Sequence, residues 1–225
     1  MIVVKQTPTR RRIPITAWQY ITQNQEKYFS LLHQHIIITL VALLICMAVG
    51  LLLAGLCYRS ALGANMVGGM VSALRVVPSI ALLLLCMPVL GTGPPVAIFA
   101  LTLLGLPAVL NSSITALQSV DPKLIEAAEA CGMGRRRLFW KVRWPLALPG
   151  MLTGCRMAGL SVAAGATLAA YIGAGGLGEL ILSGISQYRF DMVFAGGLSM
   201  IGVSLCIEGI FQLAHVYIQR HKRRV

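Results

Sequence analysis

The chain has 225 residues, of which 57% are hydrophobic and 12% are charged, and its mean hydropathy is +0.78. A soluble domain of this length needs more charged surface, so the composition excludes that class and predicts an integral membrane protein. The formal net charge of +12 would suit nucleic acid in a soluble protein. Here the cations flank apolar segments, as the positive-inside rule and anionic lipids require. We therefore expect contact with membrane lipid and none with nucleic acid.

Residues 1–35 precede the first long apolar segment. Residues 1–15 contain a run of three arginines and are expected to be a disordered arm. Residues 16–35 include interfacial aromatic side chains and are expected to form an amphipathic helix along the membrane surface. His33 and His35 are two positions apart, so they point to different sides of such a helix. They therefore do not predict a metal site.

Five apolar segments follow, each long enough to cross a bilayer. They are residues 36–57, 67–90, 95–117, 146–171 and 192–217. The second contains Pro78 and Pro88, which predict a kinked or split helix of the kind that lines a pathway. The fourth is rich in glycine and alanine, which permit close helix packing. These segments predict an all-α transmembrane domain over residues 36–218, followed by a basic tail at residues 219–225.

A polar loop at residues 118–145 separates the third and fourth spans. Asp121 followed by Pro122 suits a helix N-cap and first helical position, so a short helix is expected to begin there. Gly132 and Gly134 are expected to take positive φ, to end that helix and to lead into a second, basic helix. The loop is thus predicted to be a helix, a hinge and another helix.

Within this loop, Glu126, Ala127 and Ala128 are followed by Gly132 and, after a basic stretch, by Pro145. This spacing resembles the EAA loop of ATP-binding-cassette (ABC) importer permeases. The two small side chains would let one helix face enter a groove on a partner, and the glutamate would anchor its rim. The sequence departs from the family pattern at Trp144, where leucine is usual. The resemblance implies a type I ABC importer permease fold in which these five residues couple the chain to an ATPase.

The same resemblance implies the partners and the location. They are two ATPase subunits, a second permease subunit that is identical or a sister chain, and a separate extracellular or periplasmic binding protein. ATP and magnesium would be bound by the ATPase, and this chain is expected to bind no cofactor and to catalyse no reaction. A bacterial inner membrane location follows. With the loop and the basic tail cytoplasmic, five spans place the N-terminus outside.

Three charged residues fall inside the apolar spans, where a charge is costly unless it is paired or hydrated. Arg75, Arg156 and Glu208 lie at similar distances from the cytoplasmic ends of their spans. Glu208 is expected to pair with Arg156 or with Arg75 and to hold a gate, although a snorkelling residue at a protein interface would fit as well. The candidates for the pathway or gate are Arg75, Pro78, Ser79, Asn111, Arg156 and Glu208.

A glycine-rich segment follows the fourth span. Gly173, Gly175, Gly176 and Gly178 fit the fingerprint of dinucleotide-binding folds, but no βαβ pattern surrounds them, so a membrane oxidoreductase is not expected. Residues 171–178 instead resemble the outer loop of permeases that import osmoprotectants such as glycine betaine, choline and carnitine.

Three further stretches resemble the same branch: residues 77–82, 120–128 and 145–149. Arg75 departs from it, because an uncharged polar residue is expected there. The resemblance implies an osmoprotectant permease, with import of an amino acid such as methionine as the alternative. Few intramembrane aromatic residues are available for a cation–π cage, so specificity is expected to reside in the binding protein. An ATP-independent secondary transporter or channel is a further alternative, although no inverted repeat is apparent.

Overall fold

The computed structural model describes residues 17–222, and these are helices joined by short turns, with no strand among them. The expected disordered arm at residues 1–15 and the last part of the basic tail lie outside the described residues. The described part of the chain contains ten α-helices: α1 (Ala17–Gln23), α2 (Gln25–Cys57), α3 (Ala61–Ala73), α4 (Ser79–Leu90), α5 (Pro94–Gln118), α6 (Pro122–Ala130), α7 (Arg135–Leu138), α8 (Trp144–Leu168), α9 (Leu177–Ser186) and α10 (Phe190–Lys222). A π-helical turn (Phe139–Arg143) joins α7 to α8, and a 3₁₀ turn (Ala169–Ile172) follows α8.

Within residues 17–222, four continuous helical segments are long and apolar enough to cross a membrane. They are Gln25–Cys57, Pro94–Gln118, Arg135–Ile172 and Phe190–Ile218. The remaining predicted span, residues 67–90, consists of α3 and α4 in series, and neither helix is long enough alone. The predicted split is therefore confirmed. It lies just before Pro78, whose ring disfavours helical conformation in the preceding residue and which itself has an extended ψ of 136°.

The expected surface helix over residues 16–35 is wrong in its second half. Only α1 is separate, and from Gln25 the chain continues as one helix through the first span. Asn24 makes the break, because its side-chain amide donates to the Tyr20 carbonyl at 3.1 Å and its backbone leaves helical geometry. Tyr28 and Leu31 are buried in a cluster with α9 and α10 side chains. That burial keeps the first turns of α2 inside the bundle.

Helix α5 is the central element, with buried residues along most of its length, and it packs between α2 and α8. Close approach depends on glycines, as predicted for the fourth span. A Cβ on Gly154 of α8 would lie 2.6 Å from the Cβ of Ser112 and 2.7 Å from the carbonyl oxygen of Ala108, both on α5. Gly154 therefore lets the backbones of α5 and α8 lie closer than a larger residue would allow.

The bundle has two distinct ends. At the α6 end, α2 and α5 finish, α3 and α8 begin, and α10 ends beside the start of α8. At the α9 end, α4 turns into α5, α8 finishes and α10 begins; there the Gly93 amide donates to the Ile172 carbonyl at 2.9 Å. The α6 end is therefore built around the predicted coupling loop, and the α9 end around the glycine-rich segment.

Candidate coupling site and translocation groove

Helix α6 begins and ends as its sequence predicts. The Asp121 side chain accepts from the Lys123 amide at 2.9 Å, and Pro122 is the first helical residue. The helix is closed by two hydrogen bonds, from Gly132 N–H to the Glu129 carbonyl at 2.9 Å and from Met133 N–H to the Ala128 carbonyl at 3.1 Å. With φ of +77° at Gly132, this is a Schellman cap. The predicted positive φ at Gly132 and the end of the helix there are confirmed.

The prediction for Gly134 is wrong. Its φ is −64° and its ψ is 155°, an extended conformation open to any residue, because Gly132 has already reversed the chain. The expected separate basic helix is also wrong. Helix α7 has only four residues and runs through the π-helical turn into α8. The basic stretch is thus the first part of the fourth span.

The π-helical turn lies just before Pro145. In this turn the Trp144 N–H bonds to the carbonyl of Phe139, one residue further back than in an α-helix. Proline lacks an N–H, so the carbonyl of Lys141 loses its α-helical donor and the register can widen locally. The Pro145 side chain is exposed, and the effect of this residue is on the backbone, where its missing N–H permits the π-helical turn.

The Glu-Ala-Ala segment presents two of its three residues to the outside. Glu126 and Ala127 are exposed, whereas Ala128 is only 8% exposed within the chain itself. Both alanines were expected to contact a partner. Only Ala127 is accessible for such a contact, because Ala128 is enclosed by its own chain. One helix face, with a carboxylate beside a small residue, remains available for docking.

An aromatic cluster connects the coupling loop to α2. Phe139 stacks on Tyr58, the C-cap of α2, with ring centroids 5.5 Å apart, and also contacts Trp140 at 5.2 Å and Trp144 at 5.7 Å. Trp144, which stands where leucine is usual in the family, thus enlarges this cluster. Sequence reasoning missed Phe139 and Tyr58, although the density of aromatic residues near Trp144 was a signal.

Polar contacts extend this connection to α5. The Arg143 guanidinium lies 5.1 Å from the Tyr58 ring centroid and donates to the Leu117 carbonyl at 2.9 Å. The Gln118 amide donates to the Tyr58 carbonyl at 3.1 Å. The ends of α2 and α5 and the start of α8 therefore form one unit with the loop.

A groove of about 510 Å³ opens between α5, α8 and the break that separates α3 from α4. Two of the predicted pathway residues, Arg75 and Asn111, line it. The Asn111 amide nitrogen donates to the Ser72 hydroxyl at 2.7 Å, which ties α3 to α5. Pro78 and Ser79 lie at the start of α4 outside this lining.

Arg156 and Glu208 form the predicted ion pair, on α8 and α10. Arg156 Nε donates to Glu208 Oε2 at 2.8 Å, and a second guanidinium nitrogen contacts the other carboxylate oxygen. Arg156 also donates to Gln212 Oε1 at 3.2 Å. The alternative pairing of Glu208 with Arg75 is therefore excluded in this structure. The pair does not line the groove; Arg156 borders a different cavity, between α8 and α10.

The glycine-rich segment is a tight connection between α8 and α9. Gly173, Gly175 and Gly176 all have φ between 72° and 78°, which favours glycine. Gly178 is required for a different reason: a Cβ there would lie 1.9 Å from the Thr167 carbonyl oxygen. The Gly176 N–H donates to Gln34 Oε1 on α2 at 3.3 Å. The segment therefore closes the α9 end of the bundle.

Possible metal ligands do not gather in the part of the chain that the structure describes. Residues 17–222 contain no group of three or more His, Cys, Asp or Glu side chains placed to hold a metal ion. His35 is buried beside Gly176, and neither ring nitrogen has a hydrogen-bond partner among the described residues.

Comparison with known proteins gives a consistent result. Residues 46–220 match the family model of the binding-protein-dependent transport system inner membrane component. The carnitine transport permease protein OpuCB of Listeria monocytogenes is 38% identical over 175 residues, 78% of this chain and 80% of that protein. The choline transport system permease protein OpuBB of Bacillus subtilis is 29% identical, over 87% of this chain and 90% of that protein.

Solved structures show the same fold. The inward-facing MetNI methionine ABC transporter superposes with a TM-score of 0.78 at 21% identity, over 86% of this chain and 97% of the matched chain. At this identity the likeness concerns the fold alone. The predicted all-α fold of a type I importer permease is confirmed.

Proposed function

Because the chain belongs to the family of binding-protein-dependent transport system inner membrane components and is a permease subunit of an ABC importer, we propose that it forms the path for a small osmoprotectant. Candidate solutes are carnitine, glycine betaine and choline. The observation that carries this proposal is the 38% identity to a carnitine transport permease over most of both chains. Methionine import is less well supported, because the methionine transporter resembles this chain only in fold.

The groove supports an assembly of two permease subunits. A path through a single chain would be enclosed, whereas this groove is open along one side, so a second identical or sister subunit would complete it. Two ATPase subunits would dock on the exposed Glu126 and Ala127 face of α6. They would bind the ATP and magnesium, and a separate binding protein would deliver the solute at the α9 end.

The distribution of charge supports the orientation. Arg59 and the three arginines of α7 lie at the α6 end, which the positive-inside rule assigns to the cytoplasm. Because the described chain crosses the bundle five times, counting α3 and α4 together, α1 then lies outside and α10 ends in the cytoplasm. The location is the bacterial inner membrane.

The connection between loop and helices provides a mechanism. Closure of the ATPase would displace α6, and the Schellman cap at Gly132 would pass this displacement to the basic stretch. The Phe139 and Tyr58 stack and the Arg143 hydrogen bond would move the ends of α2 and α5 with it. Tilting these helices would open the groove alternately to the two sides of the membrane, and hydrolysis would reset it.

Affinity purification of the tagged chain tests the assembly. The wild type is expected to bring down an ABC ATPase, and Glu126→Lys to lose it. Glu26→Lys is a matched control, because it makes the same charge change on an exposed residue at the α9 end. Equal recovery of the ATPase with both variants would contradict the docking site.

Uptake measurements test the solute. Vesicles containing the recovered complex and its binding protein should import radiolabelled carnitine, glycine betaine or choline only with ATP inside. Import of methionine alone would favour the amino-acid alternative. Import by the purified chain without ATP would contradict the assignment to an ATP-driven importer.

A further inference from the structure

The groove between α5, α8 and the α3–α4 break is lined in part by polar side chains, of which one is positively charged. Its polar side chains are one guanidinium, one amide and four hydroxyls, which belong to Arg75, Asn111, Ser112, Thr115, Ser119 and Thr153. Among residues 17–222, no carboxylate and no aromatic ring contributes to this lining. Among the described lining residues, the groove therefore offers hydrogen-bond donors and a positive charge, but neither a carboxylate nor an aromatic face for a quaternary ammonium.

Arg75 has no counter-ion among the described residues. It lies in the turn between α3 and α4, it is exposed, and within the described ranges of the chain it makes no ion pair or side-chain hydrogen bond. Glu208, which the sequence offered as a partner, is held by Arg156. A guanidinium part of the way across a membrane is costly without an anion or water, so an anion is expected to visit it.

The wall beside Arg75 is fixed in place. Asn111 donates to Ser72 at 2.7 Å, and its Oδ1 lies against Gly68, where a Cβ would approach to 2.9 Å. These contacts hold α3 against α5 at the break. The position of the turn that bears Arg75 is thus determined by packing, which a binding group requires.

The two ends of a betaine make opposite demands on such a site. A carboxylate is recognised best by a guanidinium, which can donate two parallel hydrogen bonds to it. A quaternary ammonium has no N–H to donate and is bound by aromatic faces or by carboxylates. The groove satisfies the first demand and not the second.

We propose that Arg75 receives the carboxylate of a zwitterionic substrate in the groove, so that this permease selects betaines that carry a carboxylate over choline, which ends in an alcohol. The inference rests on the proposed function and deepens it. It adds a second selection step, in the membrane, to that of the binding protein. The relatives are named for solutes of both kinds, carnitine and choline, so the family does not decide the point.

The experiment compares glycine betaine with choline, which share the trimethylammonium group and differ at the carboxylate. Equilibrium dialysis of each radiolabelled solute against the purified importer, without its binding protein, measures binding to the membrane part alone. Initial uptake into vesicles with the binding protein and internal ATP measures transport. The variants are Arg75→Gln, Arg75→Lys and, as a matched control, Arg220→Gln, which removes an exposed arginine near the end of α10, outside the groove.

Arg75→Gln is expected to weaken binding and to slow uptake of glycine betaine about tenfold or more, as loss of a charge-assisted bidentate contact does. Binding and uptake of choline should change less than about twofold in Arg75→Gln, because choline has no carboxylate for the guanidinium to bind. Arg75→Lys should lie between wild type and Arg75→Gln, because it keeps the charge and loses the planar fork. Arg220→Gln should behave as wild type.

Equal losses for both solutes in Arg75→Gln would overturn the proposal and would indicate that Arg75 pairs with the second subunit or supports the fold. Unchanged binding and uptake of glycine betaine would also overturn it. In either case wild-type import of an osmoprotectant would leave the proposed function standing. A wild type that imports neither solute nor carnitine would instead reject the proposed function, and this inference with it.

Discussion

Arg156 Nε lies 2.8 Å from Glu208 Oε2, which joins α8 to α10 across 52 positions of sequence. The arginine and glutamate side chains are 41% and 27% exposed within this chain, so the pair is neither fully buried nor free in solvent. Each residue interrupts an apolar span. A charge there is costly alone, and the pair forms a charge-assisted contact between these two helices.

Glu208→Gln and Arg156→Gln are each expected to lower the free energy of unfolding by about 1–3 kcal/mol, because each leaves a charge without its partner. The double variant should be less destabilised than the sum of the two. Thermal unfolding of the purified protein in detergent measures all three. Gln212→Ala is the control, because it removes only the 3.2 Å contact to Arg156, and purely additive losses would contradict the coupling.

Gly132→Val is expected to impair coupling, whereas Gly134→Val is not. Both glycines have open space where a Cβ would lie, but only Gly132 has a positive φ. A non-glycine residue in that conformation costs about 1–2 kcal/mol, and more when it is β-branched. Recovery of the ATPase and ATP-driven uptake are the measurements. Equal activity of the two variants would show that the Schellman cap is not needed.

Gly178→Ala is expected to prevent normal packing of α9 on α8. The new methyl group would lie 1.9 Å from the Thr167 carbonyl oxygen, and backbone cannot move aside as a side chain can. We expect a loss of about 3 kcal/mol or more and a low yield of folded protein. Gly197→Ala on α10 is the control, since no atom lies within 4 Å of its added Cβ. A normal melting temperature for Gly178→Ala would contradict this packing.

Phe139→Ala is expected to destabilise the α6 end more than Trp140→Ala does. Phe139 contacts Tyr58, Trp140 and Trp144, whereas Trp140 is 56% exposed. Truncation of Phe139 should cost about 3 kcal/mol, and truncation of Trp140 less than half of that. Hydrogen exchange at the end of α2 should accelerate in Phe139→Ala only. The reverse order of stability would show that the stack on Tyr58 does not hold the loop.

Local features of the chain were readable without a structure because they depend on neighbouring residues. Hydropathy over about twenty residues decides whether a helix can cross a bilayer. Helix α6 begins with a hydrogen bond from Lys123 to the Asp121 side chain, two residues away in sequence. It ends with hydrogen bonds that span three to five residues around Gly132. The break before Pro78 is equally local. The spacing from Glu126 to Pro145 was enough to indicate the family, because all of its residues lie in one short segment of sequence.

The sequence-based predictions are wrong where the surrounding structure overrides the local sequence pattern. Residues 25–35 looked like a surface helix, but burial of Tyr28 and Leu31 against α9 and α10 joins them to the first span. Gly134 looked like a hinge, but Gly132 had already turned the chain.

By itself, the sequence determined that this protein is a multi-pass membrane helix bundle with a coupling loop, because those properties follow from composition and short-range spacing. Only the tertiary structure decided that Glu208 pairs with Arg156, that Gly178 faces the Thr167 carbonyl and that Arg75 lines a groove without an ion-pair partner among the described residues. Each of these depends on which side chains meet across the bundle. Periodicity places a residue on a helix, but the packing of the helices decides what it touches.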